Sequence, residues 1–178
     1  MAIIVCPLSR VVSIAGSRAP ARIVSLLDPF TPFPEPVGFG ADQHLKVKIH
    51  DITSHEPGLV VPSDDHVDEI IGFVSDWSRE APILIHCYAG ISRSTATAFI
   101  TACIHNPAVD EEAIAFALRA ASATATPNAR IVALADASLG RGGRMSKAVA
   151  AIGRGSPGWP EISEAKPFEI PSQFVSGR

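Results

Sequence analysis

The sequence has little aromatic character and little charge. Aromatic side chains make up 6% of its 178 residues, and 15 Lys and Arg against 18 Asp and Glu leave a formal net charge of -3. A balance this close to neutral exerts no strong pull on nucleic acid or an anionic membrane surface. No basic arm with interleaved aromatics is present, so no nucleic-acid partner is expected. Apolar runs are short, well below the ~20 residues that cross a bilayer, and no membrane association is expected. The apolar start, Met1 to Cys6, lacks a charged leader and is cut off by Pro7. It reads as a strand and not as a signal peptide.

Cysteine is equally sparse. Cys6, Cys87 and Cys103 are an odd set without a Cys-x-x-Cys pair. That excludes a disulfide framework, and no His/Cys cluster stands at zinc spacing. Neither metal nor cofactor is expected. A reducing, cytoplasmic setting fits a chain with unpaired thiols.

What the chain does have is apolar content, 47% of all residues. That is enough for one cored domain at this length. Ala2–Cys6, Ala21–Leu27, Leu45–Ile49 and Pro82–Ile85 read as strands. Lys46 and Lys48 alternate with apolar neighbours as on an edge strand, whereas Pro82–Ile85 is apolar throughout, as in a strand buried on both faces. Leu8–Ala15 reads as a short helical turn, and the Pro- and Gly-rich residues 28–43 as a loop.

Helices are expected over 63–79, with Val67, Ile70, Ile71, Val74 and Trp77 on one face, from Arg93 to Ile104, and from Asp110 with Ile114, Ala117 and Leu118 inward. Two more are expected over Pro127–Leu139 and Met145–Ile152. Strands alternate with helices first and helices cluster later. The order argues for an α/β fold with a central, mainly parallel sheet of about four to five strands flanked by helices. Residues 1–153 are expected to form this domain and residues 154–178 an extended Pro/Gly-rich tail, whose Trp159 and Phe168 can pack back on the domain.

One segment carries chemistry: His86-Cys87-Tyr88-Ala89-Gly90-Ile91-Ser92-Arg93-Ser94. A buried strand ends at Cys87, a loop of mostly small residues follows, and Arg93 and Ser94 open a helix. Helix starts leave backbone N–H groups unpaired and favour negative charge, and Gly90 allows the chain to curl over that start. The product is an anion cradle in which the amides of Tyr88, Ala89, Gly90, Ile91 and Ser92 hold phosphate. The same field favours a thiolate over a thiol, which suits Cys87 as nucleophile. Arg93 offers a two-pronged fork for phosphate oxygens. Ser94 can donate a hydrogen bond to the Cys87 sulfur, and His86 can orient the loop through backbone hydrogen bonds.

His-Cys-x5-Arg-Ser/Thr resembles the signature of the protein tyrosine phosphatase superfamily, and Ala89 to Ser94 looks most like its dual-specificity branch. Arg22–Asp28 resembles the family's second strand, and Pro127-Asn128 the Pro-Asn that opens a late helix. Alanine content and compact length suggest a bacterial member. The resemblance implies the phosphotyrosine protein phosphatase II-like fold and a metal-independent hydrolase acting through a phosphocysteine. The implied substrate is a phosphorylated protein (phosphotyrosine and phosphoserine/threonine) or a small phosphomonoester. It further implies an aspartic acid on a separate loop. Asp51, after the strand that precedes the clearest helix, occupies that place. Asp64 and Asp65 compete, but a helix start already accounts for them.

Three other readings remain open at this point. A phospho-binding module would need the cradle alone. A phosphoinositide phosphatase of the tensin kind would carry lysines in the loop, and Tyr88–Ser92 has none. A rhodanese-like sulfurtransferase would leave Asp51 without a role, and Arg93 and Ser94 fit the phosphatase pattern. Cys6 and Cys103 read as structural thiols, and the remaining histidines as surface or capping groups. Arg141, Arg144 and Lys147 form a basic cluster that reads either as solvated surface or as a docking patch for an acidic substrate.

Overall fold

The computed structural model describes residues 1–157 and 162–175; Trp159 lies outside them. Five strands form one sheet in the order β3-β2-β4-β1-β5. They are β1 (Ala2–Pro7), β2 (Arg22–Leu27), β3 (His44–Lys48), β4 (Ile83–Cys87) and β5 (Phe168–Pro171). Pairings β1–β4, β2–β4 and β2–β3 are parallel, and only β5 runs antiparallel, against β1. β4 therefore lies in the middle. It is buried from end to end, as its unbroken apolar character requires. β3 is the edge on the far side, and Lys46 and Lys48 face solvent there.

Six helices are described: α1 (Val11–Arg18), α2 (Asp64–Ser75), α3 (Arg93–His105), α4 (Glu111–Ala121), α5 (Ala129–Ser138) and α6 (Arg144–Ile152). A short 3-10 turn, Leu8–Arg10, precedes α1. One sheet face carries α1 over a small cluster of Ile4, Cys6, Val11, Ala15, Ile23 and Leu84. The other face carries the main core, to which α2 contributes Val67, Ile70 and Val74 and α3 contributes Phe99, Ile100 and Cys103. α3 is buried from Arg93 to Cys103. Thr97 and Thr101 are tolerated in that interior because each hydroxyl donates to a carbonyl one turn back, Arg93 O at 3.0 Å and Thr97 O at 2.8 Å. Phe99 is fully buried, and its truncation to alanine is expected to cost about 3–5 kcal/mol.

Three sequence expectations need adjustment. α2 stops at Ser75, short of residue 79, and the chain beyond it turns through left-handed Arg79 (φ 62°). Trp77 is still buried, its Nε1 donating to Ala81 O at 2.8 Å. On α4, Ala115 is buried beside Ile114 and Leu118, while Ala117 is half-buried. The tail does not stay apart from the domain: its residues Phe168–Pro171 supply β5. Asn106, just after α3, clamps it by donating to Ser172 O at 3.0 Å and accepting from Phe174 N at 2.9 Å.

Candidate active site

The loop after β4 owes its shape to an outer ring of donors. Leu8 N donates to Tyr88 O (3.0 Å), Ala165 N to Ala89 O (2.8 Å), Thr126 N to Ile91 O (2.9 Å), and Asn128 N to Ser92 O (3.3 Å). Thr95 Oγ1 also donates to Ile91 O at 2.6 Å. Each planar peptide sets its N–H opposite the preceding carbonyl, so carbonyls taken by donors outside the loop leave the following amides to face away from those donors. Among the described residues, no backbone carbonyl takes the amides of Tyr88, Ala89, Gly90, Ile91 or Ser92. Unpaired donors at a helix start constitute an anion site. Gly90 is required by two independent conditions. Its φ is +73°, and a Cβ there would lie 2.9 Å from Cys6 C and Pro7 N.

Cys87 ends β4 beneath this ring. Its Sγ lies 3.1 Å from Ser94 Oγ in the first turn of α3. Arg93 is buried, and one end of its guanidinium is fully engaged. Nη1 donates to Asp28 Oδ1 at 2.9 Å and to Ile49 O at 2.7 Å. Its Nε is buried without a protein partner. A buried, unpaired guanidinium N–H is costly unless an anion completes it. Asp28, at the carboxyl end of β2, was not singled out from the sequence. The available signal was its position, since open α/β sheets bind ligands beyond the carboxyl ends of their strands.

Asp51 follows β3 and reaches the loop from the side. Its Oδ1 accepts from Ser92 Oγ at 2.7 Å and from Asn128 Nδ2 at 2.8 Å, while Oδ2 has no hydrogen-bond partner among the described residues. Asn128 itself is fixed as the cap of α5, its Oδ1 accepting from Arg130 N and Ile131 N, both at 3.1 Å. Asp51, Asp28, Cys87 and Arg93 share one cavity of about 1100 Å³ that continues past Pro127 along α5 and α6. Asp64 and Asp65 are exposed in the first turn of α2 and do not line it.

His86 is buried and directs Nδ1 at Cys87 O, 3.3 Å away. Burial holds its pKa down at about 4, so the ring is neutral at physiological pH. The Cys6 thiol is pushed up to about 12, by burial first and then by the nearby Cys87. Burial also raises the Cys103 thiol. Both are inert packing groups. Tyr88 is 58% exposed and lines the cavity. The surface reading of His44 is overturned as well, because that residue is buried against Ser25. The basic cluster after Gly140 is largely neutralised from within. Buried Glu111 pairs with Arg141 at 3.0 Å and with Arg144 at 3.2 Å. Among the described residues, no group of three or more His, Cys, Asp and Glu side chains is arranged to hold a metal ion. No described helix is long and apolar enough to cross a membrane.

The family model for protein-tyrosine phosphatase matches residues 40–121, a stretch that holds Asp51, Cys87, Arg93 and Ser94. No curated protein sequence matches the chain. Among solved structures, the Cydia pomonella PTP-2 phosphatase is similar over 75% of this chain and 83% of its own, at 19% identity and a TM-score of 0.57. DUSP15 is similar over 83% of this chain and 88% of its own, at 18% identity and a TM-score of 0.57. A mouse dual-specificity phosphatase complexed with zinc tungstate covers 80% of each chain, at 15% identity and a TM-score of 0.54. The fold is thus that of dual-specificity phosphatases, and residues 40–121 carry the protein-tyrosine phosphatase match.

Proposed function

We propose that the protein is a cysteine-dependent phosphatase that hydrolyses phosphotyrosine, and phosphoserine or phosphothreonine, on proteins through a phosphocysteine intermediate. One observation carries this reading. Cys87 shares one cavity with a loop whose amides, from Tyr88 to Ser92, meet no backbone carbonyl among the described residues, and with Arg93, whose buried Nε has no partner there. Those donors match the three equatorial oxygens of a phosphoryl group in flight, where charge has to be stabilised.

In the first step the Cys87 thiolate attacks phosphorus. The P–S bond forms, the P–O bond to the leaving group breaks, and Oδ2 of Asp51 delivers its proton to the departing oxygen. In the second step Asp51, now a carboxylate, takes a proton from water as that water attacks phosphorus. The sulfur leaves as a thiolate, and Ser94, 3.1 Å away, stabilises its charge by hydrogen bonding. Ser92 and Asn128 hold Asp51 by one oxygen so that the other is presented to the reaction. The cavity of about 1100 Å³ is far larger than a phosphate and can receive the residue that bears it.

The experiment is phosphate release from an aryl phosphate and from phosphotyrosyl, phosphoseryl and phosphothreonyl peptides, with a chelator present, in wild type and Cys87→Ser. Release by wild type and its loss in Cys87→Ser is the expected result. Release that survives Cys87→Ser overturns the mechanism. A folded, reduced wild type that binds phosphopeptide without releasing phosphate is a binding module.

A further inference from the structure

We propose that Ser25 and His44 are positioning residues for the catalytic loop, acting through His86 by a directed chain of hydrogen bonds across three strands. The inference rests on the phosphatase reading for its kinetic consequence, but not for its structural content.

The three side chains belong to adjacent strands. Ser25 on β2 is in register with His86 on β4, and His44 on β3 pairs with Ile23, two residues before Ser25. All three are buried. Ser25 Oγ lies 2.7 Å from His44 Nε2 and is also hydrogen-bonded to His86 Nε2. The other nitrogen of His86, Nδ1, faces Cys87 O at 3.3 Å.

These contacts allow one proton arrangement for neutral rings. A carbonyl oxygen only accepts, so His86 Nδ1 carries the proton. His86 Nε2 is then bare and accepts from the Ser25 hydroxyl. That hydroxyl has spent its only proton, so it receives one from His44 Nε2. The chain runs His44 Nε2–H to Ser25 Oγ–H to His86 Nε2, and from His86 Nδ1–H to Cys87 O. Burial keeps both imidazoles neutral, each with a pKa of about 4. The bond made by one ring nitrogen thus sets the state of the other.

The consequence reaches the cradle through a single peptide plane. The Cys87 carbonyl and the Tyr88 amide belong to the same planar unit and point in opposite directions. Holding the carbonyl against His86 aims the Tyr88 N–H into the ring of donors. Without Ser25, His86 is free to place its proton on Nε2. The bare Nδ1 then faces the lone pairs of Cys87 O, and the plane is no longer held.

The test is imidazole nitrogen NMR on the full chain, with His44 and His86 assigned from His44→Asn and His86→Asn spectra, beside steady-state kinetics with an aryl phosphate. Wild type is expected to show the proton of His86 on Nδ1 and that of His44 on Nε2. Ser25→Ala is expected to lose the His86 signature. Its kcat/KM should fall about five- to tenfold, the worth of one neutral hydrogen bond, with a matching loss of inhibition by inorganic phosphate. Ser25→Thr should restore both. A wild-type His86 protonated on Nε2 overturns the proposal without any variant. So does a folded Ser25→Ala protein whose kcat/KM stays within twofold of wild type. If wild type releases no phosphate at all, the function proposed above fails, while the NMR result still decides the hydrogen-bond chain.

Discussion

Arg93 and Asp28, 65 residues apart in sequence, meet at 2.9 Å between Nη1 and Oδ1 in a largely buried ion pair. The pair engages Nη1, while Nε of the same guanidinium is buried with no hydrogen-bond partner among the described residues. On the proposed function, Asp28 acts on phosphate through Arg93. Asp28→Ala is expected to lower kcat/KM for an aryl phosphate about tenfold and to weaken competitive inhibition by inorganic phosphate by a similar factor. Arg93→Lys should cost at least about a hundredfold, because an ammonium cannot span Asp28, Ile49 O and a phosphate oxygen together. Unchanged inhibition by phosphate in Asp28→Ala would show that Ile49 O alone orients Arg93.

Asp51 is held by Ser92 and Asn128 through the same oxygen, which makes its contribution separable from binding. Asp51→Asn is expected to reduce kcat about a hundredfold or more for phenyl phosphate, whose leaving group needs a proton. With an aryl phosphate whose leaving group departs unaided, the loss in P–O cleavage should be less than about tenfold. Asn128→Ala should give a weaker version of the same pattern. An equal loss for both substrates would remove Asp51 from the role of acid.

Gly90 offers a test of the cradle's construction. An alanine there combines a strained positive φ with a methyl group 2.9 Å from the backbone of Cys6 and Pro7. Neither neighbour can retreat without disturbing β1, which is in register with β4 up to the Pro7–Cys87 pair. Gly90→Ala is expected to abolish detectable turnover and to lower the unfolding free energy by about 1–3 kcal/mol in urea titrations. A variant with wild-type activity would mean that the loop is not held as tightly as these contacts require.

The parts of this molecule that could be read in advance are those written in contiguous residues. β4 announced itself by an apolar run without alternation, β3 by its alternating lysines, and the cradle by nine consecutive positions ending in Arg93 and Ser94. The start of α4 was legible at Asp110 because helix starts are local, and the Asp110 side chain caps the helix by accepting from Glu112 N at 2.9 Å. What was not legible depends on where distant strands lie. Asp28 gains its meaning from a partner on α3, and His44 from Ser25 one strand away. β5 is four residues in a Pro- and Gly-rich stretch, with only Ile170 buried, and no periodicity of that length can outweigh its surroundings. Asp51 was placed by resemblance; its contacts with Ser92 and Asn128 are long-range and were not foreseen.

The two buried imidazoles also make a statement about stability. His44 and His86 each fall from an ordinary value of 6.5 to about 4, chiefly through desolvation. Between those values the unfolded chain binds protons that the folded chain refuses, so stability rises with pH across this window and is lost as pH falls. The loss approaches about 3 kcal/mol for each ring once the pH nears 4. Urea titrations at pH 7, 6 and 5 are expected to show a progressively smaller unfolding free energy, before most carboxylates begin to titrate. In His44→Asn one of the two proton-binding differences is gone, and the slope of stability against pH should drop by about half. A slope that is flat in wild type between pH 6.5 and 5 would mean that these histidines titrate as freely in the folded protein as in the unfolded one. Their burial would then not hold them neutral.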